Sequence, residues 1–349
     1  MKTVCYFYRH RGLVFLRDIV KLDDWTGELV AIRDAEERLR GDTTIFTALQ
    51  ANSYLRELVV QQLCEKDLQC VRHLRLTDPR LDKTRIEQDK GGLLEGSYRW
   101  VLQNPQFKQW RDGRESRLLW IQGDPGKGKT MLLCGIVDEL REELRHATTP
   151  CLLSFFFCQA TNKHINNATA VVRGLLYLLV DHQPHLLSHV QKKHDHAGER
   201  LFEGENTWVA LSEILAGVLR DPALASACLI VDALDECVDD RDRRNLLQFI
   251  VQQSSVSSRV KWIVSSRNWP QAEEQLETAA QKVRLSLELH AESVATAVDH
   301  YICHKVSQLS KLKKYDDRTE TAVREYLSSG WPWSAGTSSR SRDGTLSPS

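Results

Sequence analysis

No stretch of this 349-residue sequence stays apolar for long. The longest clusters, Leu175 to Val180 and Leu152 to Cys158, fall far short of the roughly eighteen residues that a bilayer crossing needs, so no membrane span is expected. A surplus of either charge is also missing, because 47 Lys plus Arg face 47 Asp plus Glu. Chains that grip nucleic acid through its phosphates carry a clustered cationic excess, and this balance argues against that class. The basic opening MKTVCYFYRHRGLVFLR is interrupted by Arg9 and Arg11 and lacks a small-residue cleavage site, so no secretory signal is read. The nine cysteines, at 5, 64, 70, 134, 151, 158, 228, 237 and 303, form no CxxC pair. An odd, scattered set reads as reduced core thiols in a cytosolic protein.

What is present is ordinary globular material: 42% hydrophobic and 27% charged residues, enough for one large or two modest domains. From Leu118 to about His290, short β-rich runs alternate with longer helical patterns, the order of a parallel sheet with helical crossovers. The strand candidates are LLWIQ (118–122), LLSFFFC (152–158), CLIVD (228–232), VKWIVSS (260–266) and VRLSLEL (283–289). Most are nearly unbroken apolar runs, as strands covered on both faces should be. Amphipathic spacing predicts helices over 129–145, over 168–190 with a break near Pro184, over 208–219 and over 244–253. The fold class is therefore α/β, a three-layer sandwich around a parallel sheet.

Five regions follow. Residues 1–54 are of uncertain structure, and 55–117 form a helical adaptor and junction, with Leu55, Leu58, Val59, Leu63, Val71 and Leu74 marking helix and LTDPRLDKTRIEQDKGG the polar junction. Residues 118–290 are the core. Two helices fill 291–328, and the Ser-rich segment 329–349 cannot bury enough surface to order itself. The first fifty residues hold no GxSxG or other output-domain motif.

Directly after the first strand stands Gly123-Asp124-Pro125-Gly126-Lys127-Gly128-Lys129-Thr130, a GxxxxGK[ST] string that opens a helix. Glycines allow backbone N–H groups to wrap a phosphate, and the helix N-terminus adds its dipole. Lys129 is placed to reach the β and γ phosphates, and Thr130 to ligate Mg²⁺. About a hundred residues on, the strand CLIVD delivers Asp232 at its carboxyl end, where open parallel sheets bind ligands. Asp232 is the metal-side carboxylate. Of the acidic pair that follows, Glu236 is read as the water activator and Asp235 as its support, an order of roles that the residues alone leave open. The strand VKWIVSS brings Ser265, Ser266 and Arg267 to the same edge, where an arginine either senses the γ-phosphate or merely caps a strand.

Other features read as structural. His182, His185, His189, His194 and His196 crowd one segment, but no HExxH or accompanying Cys pattern supports zinc. Cys70 to His73 and Cys303-His304 read as packing residues, as do Trp100, Trp110 and Trp120. Base selectivity is left to contacts around residues 85–98.

Taken together, GDPGKGKT, LIVDALDEC and VKWIVSSRNWP resemble the NACHT-type nucleotide-binding domains of fungal NOD-like receptors, the group that contains heterokaryon-incompatibility proteins and nephrocystin-like N-terminal NTPases. TDPRLDKTRIEQDKGGLLEGSYRWVLQ and SFFFCQATNKHINNATAVVRGLLYLLV share the likeness, which runs from about Leu55 to Ser329. The resemblance implies a STAND-class P-loop NTPase in which the sensor strand separates the Walker A and Walker B strands. On it, Gly123 to Thr130 bind ATP or GTP, Thr130 and Asp232 hold Mg²⁺, Asp235 and Glu236 serve hydrolysis, and Arg267 is the sensor. Members continue past the position of Ser329 into helical, winged-helix and repeat regions, so a C-terminally truncated member without its closing domain is expected.

The functional expectation is slow Mg²⁺-dependent hydrolysis serving as a conformational switch in a cytoplasmic signalling protein of the incompatibility or innate-immunity type. Self-association or signalling-protein partners go with it, and neither nucleic acid nor membrane does. Driving such a switch fully requires a preference for one state of about 5.5 kcal/mol, and the γ-phosphate contacts of Lys129, Arg267 and Mg²⁺ are its expected source. Two rivals stand beside this reading: an inert interaction module, and a P-loop kinase, which the paired carboxylates after Asp232 disfavour by pointing to water as the nucleophile.

Overall fold

The computed structural model describes residues 65–146, 151–277 and 282–329. The chain divides into two units, Met1–Lys66 and Asp67–Ser349. The helical pattern of Leu55 to Leu63 and the Ser-rich segment from residue 330 lie outside the described residues.

Five strands run through the second unit: β1 (Leu118–Gln122), β2 (Cys151–Phe157), β3 (Ser226–Asp232), β4 (Val260–Ser266) and β5 (Lys282–Ser286). All pair in parallel, in the order β2-β3-β4-β1-β5. Every residue of β1 is buried, as is every residue of β2 and β3 except the first, which is why their sequences are apolar without alternation. The insertion of β4 between β1 and β3 sets the carboxyl ends of these three strands side by side. The strands expected at 118–122 and 260–266 form with those limits. The fifth stops at Ser286, short of the expected Leu289, because the chain turns there: Leu287 N–H extends the ladder to Gln122 O at 2.9 Å, and His290 N–H bonds back to Leu287 O at 3.3 Å.

Helices α1 (Pro79–Asp89), α2 (Arg99–Gln103) and α3 (Pro105–Asp112) precede the sheet, after a helical stretch at 65–74. Helix α4 (Lys129–His146) joins β1 to β2, while α5 (Ala168–His182), α6 (Leu187–Ala197) and α7 (Thr207–Arg220) join β2 to β3. Helix α8 (Asp240–Ser254) leads into β4 and α9 (Pro270–Glu277) follows it, and α10 (Ala291–Lys313) and α11 (Asp317–Ser329) complete the described chain. Pro184 does divide the 168–190 pattern, as the start of a 3₁₀ turn between α5 and α6.

The polar junction read into LTDPRLDKTRIEQDKGG is instead occupied by α1. Its hydrophobic periodicity is weak, and other forces hold it. Asp78 caps it by accepting from Arg80 N–H at 3.1 Å, and Pro79 stands at its first position. Lys83, almost wholly buried, bonds Glu87 one turn on and Asp138 of α4 at 2.8 Å. A lysine inside β4 has a similar explanation. Lys261 Nζ donates to the carbonyls of Trp110, Arg111 and Gly113 at 2.7, 2.8 and 2.9 Å, closing the C-terminus of α3.

Two helices approach their neighbours at glycines. A Cβ on Gly135 of α4 would stand 2.2 Å from the Tyr98 ring, and one on Gly174 of α5 would stand 2.4 Å from the ring of Phe156 in β2. Alanine improves helix propensity by about 1 kcal/mol, so contact and propensity oppose one another at these positions. With Phe156 buried, the contact should win: Gly174→Ala is expected to lose about 1–3 kcal/mol in urea denaturation. A gain in stability would show that β2 yields freely to α5.

Candidate functional site

The loop Gly123–Thr130 leaves β1 and opens α4, and it takes a cradle shape because its glycines permit one. Gly126 and Gly128 have φ of +81° and +78°, a region costly for side-chain-bearing residues, and the space beside each is open. Gly123 is needed for a different reason: a Cβ there would meet Leu287 at 3.1 Å. Helix α4 begins at Lys129, so its N-terminal dipole faces the loop. Lys129 Nζ bends onto the loop's own carbonyls, Gly123 O at 2.5 Å and Asp124 O at 3.1 Å.

Asp232 closes β3 and is 1% exposed. Ser265 Oγ, across from it on β4, donates to Asp232 Oδ1 at 2.5 Å and accepts from Ala233 N–H at 2.8 Å. Asp232 Oδ2 is buried with no hydrogen-bond partner. Burial raises this carboxyl to about 6; the hydroxyls of Ser265 and Thr130 oppose the rise, Glu236 adds to it and Lys129 counters it. Ala233 then adopts φ 54°, ψ 54°, a left-handed conformation that a non-glycine residue enters at a cost, and so turns the chain out of the sheet.

The acidic pair divides its attachments. Asp235 accepts the backbone N–H of Arg267 on Oδ1 and the guanidinium Nε on Oδ2, both at 2.9 Å. Glu236 Oε2 accepts from Ala160 N–H at 3.0 Å, beyond the end of β2. Arg267 is half exposed, and a cleft of about 330 Å³ opens beside it, lined by Asp235, Arg243, Arg267, Asn268 and Trp269. The sequence-predicted residues thus converge. Burial lowers the Lys129 pKa, while the charges acting on it come from Asp235, Asp232, Arg267 and Glu288.

Two of the residues gathered here went unread in the sequence. Asn268, following Arg267, donates to Asp124 Oδ1 at 2.9 Å, and Glu288 Oε1, beyond β5, accepts Asp124 N–H at 2.7 Å. The order β4-β1-β5 brings both to the loop, and no local pattern announces such a placement. Of the tryptophans read as packing residues, Trp110 and Trp120 are fully buried. In the 85–98 stretch to which base selectivity is assigned, Tyr98 lies against α4 with its hydroxyl on Glu139 at 3.1 Å, and Arg85 bonds Gln159 at 2.8 Å. His189 pairs with Asp221 at 2.6 Å and His194 with His73 at 2.9 Å. The seven cysteines among the described residues are free. No helix among these residues is long and apolar enough to cross a membrane.

The arrangement suits a hard, oxygen-liganded cation beside a phosphate chain. Asp232 Oδ2, which has no hydrogen-bond partner, and the Thr130 hydroxyl, which acts on the same carboxyl group, are oxygen donors of the kind Mg²⁺ takes, and the open glycine cradle supplies N–H donors for anionic oxygens.

Residues 96–267 match the family model described as Nephrocystin 3, N-terminal, and residues 1–62 match that of the N-terminal domain of NWD NACHT-NTPase. The chain belongs to the NACHT NTPase family. It is 58% identical over 277 residues to the vegetative incompatibility protein HET-E-1 of Podospora anserina, a match that covers 78% of this chain and 20% of that protein. This NACHT chain therefore spans about a fifth of the length of the curated relative it matches. Among solved structures, the Aeropyrum pernix ORC1 protein in complex with DNA aligns at TM-score 0.38 and 11% identity over 66% of this chain and 64% of that one. Drosophila ORC bound to DNA aligns at 0.34 and 13% over 75% and 65%. Likeness of that size bears on neither ligand nor partner.

The buried carboxylate gives the site a pH signature. A folded-state pKa of about 6 against an ordinary value of 3.8 means that Asp232 favours the fold when protonated. Its contribution is complete below about pH 4 and is lost as the pH rises through 6. In solution free of nucleotide and divalent metal, Asp232→Asn should therefore raise the melting temperature at pH 8 and give little gain at pH 4.5. An equal change at both values would show that burial of the charge is not what the substitution relieves.

Proposed function

We propose that this NACHT chain binds ATP or GTP with Mg²⁺ and hydrolyses it slowly, the bound state acting as a conformational switch in signalling of the incompatibility or innate-immunity type. The observation that carries this reading is the convergence of Lys129, Thr130 and the orphaned Asp232 Oδ2 at the carboxyl ends of β1 and β3, on either side of β4. A buried carboxylate oxygen without a donor is costly in a finished fold, and a bound cation removes that cost.

The geometry supports the following roles. The backbone of Gly126 to Thr130 would cradle the phosphates, and Lys129 would exchange its carbonyl partners for phosphate oxygens. Thr130 and Asp232 would hold Mg²⁺, which when bound offsets charge on the transferring phosphate. Glu236, next to Asp232 and held by a single backbone N–H, is the carboxylate better placed to take a proton from water. Asp235 is committed to Arg267 at two points and serves to aim that guanidinium at the cleft. Self-association and signalling-protein partners belong to the same proposal, drawn from the likeness to an incompatibility protein.

Lys129→Ala should abolish retention of nucleotide while leaving the melting temperature of the nucleotide-free protein close to that of the unaltered chain. Glu236→Gln should keep the affinity and slow phosphate release by about 100-fold. Equal nucleotide binding by the Lys129 variant, read by calorimetry, would overturn the assignment of the loop, and unchanged assembly and partner binding in that variant would favour the inert interaction module instead.

A further inference from the structure

Glu288 stands where a phosphate-binding loop has little use for an anion. Its side chain comes from the turn after β5, and that turn is pressed against the loop: Leu287 occupies the space that a Cβ on Gly123 would fill. Glu288 Oε1 accepts Asp124 N–H at 2.7 Å, Oε2 accepts the Ser286 hydroxyl at 3.0 Å, and the Asn268 amide bonds the same carboxylate. These partners are neutral donors, so they fix the carboxylate in place without cancelling its charge. Burial pushes its pKa up, but the donors outweigh burial and hold it below the usual carboxylate range, so it is ionised at neutral pH.

Asp124 joins this anion to the loop lysine. Its N–H donates to Glu288, and its carbonyl accepts from Lys129 Nζ at 3.1 Å. The negative charge of Glu288 acts on Lys129 directly. A P-loop lysine meets the β and γ phosphates, so a fixed anion acting on that lysine bears on contacts that a diphosphate, lacking the third phosphate, does not make.

We propose that Glu288 sets the preference of the site between nucleoside diphosphate and triphosphate, its fixed charge weakening the hold on the third phosphate. The inference rests on the nucleotide-binding reading of the loop. It makes Glu288 a specificity-determining residue that acts through Lys129 and Asp124 and touches no reacting atom. The same turn leads within three residues into α10, which begins at Ala291, so the charge that weighs the phosphates is carried on the chain that starts that helix.

The test compares full-length chains with Mg²⁺ present, measuring calorimetric affinity for ADP and for a slowly hydrolysed ATP analogue, or for the guanine pair if guanine binds better. Glu288→Gln keeps an acceptor for Asp124 N–H and removes only the charge. The ratio of triphosphate to diphosphate affinity should rise about fivefold, with the diphosphate constant nearly unchanged, and the effect should shrink as salt is raised. Glu288→Ala, which also loses the acceptor, should move the ratio in the same direction whatever it does to both affinities together. A ratio unaltered in either variant overturns the proposal and marks Glu288 as a support of the loop alone. Failure of the unaltered chain to bind either nucleotide is a separate result, which brings down the nucleotide reading itself.

Discussion

A carboxylate is held away from water at the end of a parallel strand, and much of the site exists to hold it there. Asp232 is buried, raised toward neutrality by that burial, and satisfied on one oxygen only. Keeping it requires Ser265 of β4 at hydrogen-bond distance, which in turn requires β4 to lie beside β3. The same Ser265 Oγ accepts from Ala233 N–H and fixes the left-handed turn after which Asp235 reaches the cleft and Glu236 the end of β2. One hydroxyl thus orients the buried carboxylate and the chain that carries the other two. Strand order and site chemistry are one constraint here, because a sheet with β1 directly beside β3 would offer no Ser265.

What was legible in the sequence was local. Most of the strands announce themselves as apolar runs because both faces of the sheet are covered there, β5 with its exposed Arg284 being the exception, and the loop announces itself because each glycine, lysine and threonine is needed at a fixed spacing within eight residues. Helix α1 was hidden because what holds it is not periodic hydrophobicity: an Asp78 cap, ion pairs along its own surface and the reach of Lys83 to Asp138 do that work. Asn268 and Glu288 were hidden for a different reason. Each is an ordinary polar residue after a strand, and only the placement of β4 and β5 on either side of β1 turns them toward Asp124. Long-range pairings of this kind leave no spacing to read.

The even charge of the whole chain conceals a dense arrangement at this edge. Lys129 and Arg267 face Asp232, Asp235, Glu236 and Glu288, so the site carries more negative than positive formal charge before any ligand is considered. A phosphate chain alone would add to that excess. A divalent cation at Asp232 changes the sign of the local field where the phosphates would lie, and this is the physical reason that metal and nucleotide are expected to bind together.

Arginine commitment follows from the same arithmetic. Arg267 is fixed by its backbone N–H and its Nε to one carboxylate, which leaves the guanidinium's other nitrogens to face whatever enters the cleft. A half-exposed ion pair of this kind contributes little to stability on its own, so its value lies in direction. Held by Asp235, the cation is already aimed when a ligand arrives and need not surrender a partner to turn. The backbone bond ties that aim to the end of β4, and β4 carries Ser265. The groups that would meet the metal and the phosphate are therefore set by one strand, and a shift of β4 relative to β3 would misplace both together.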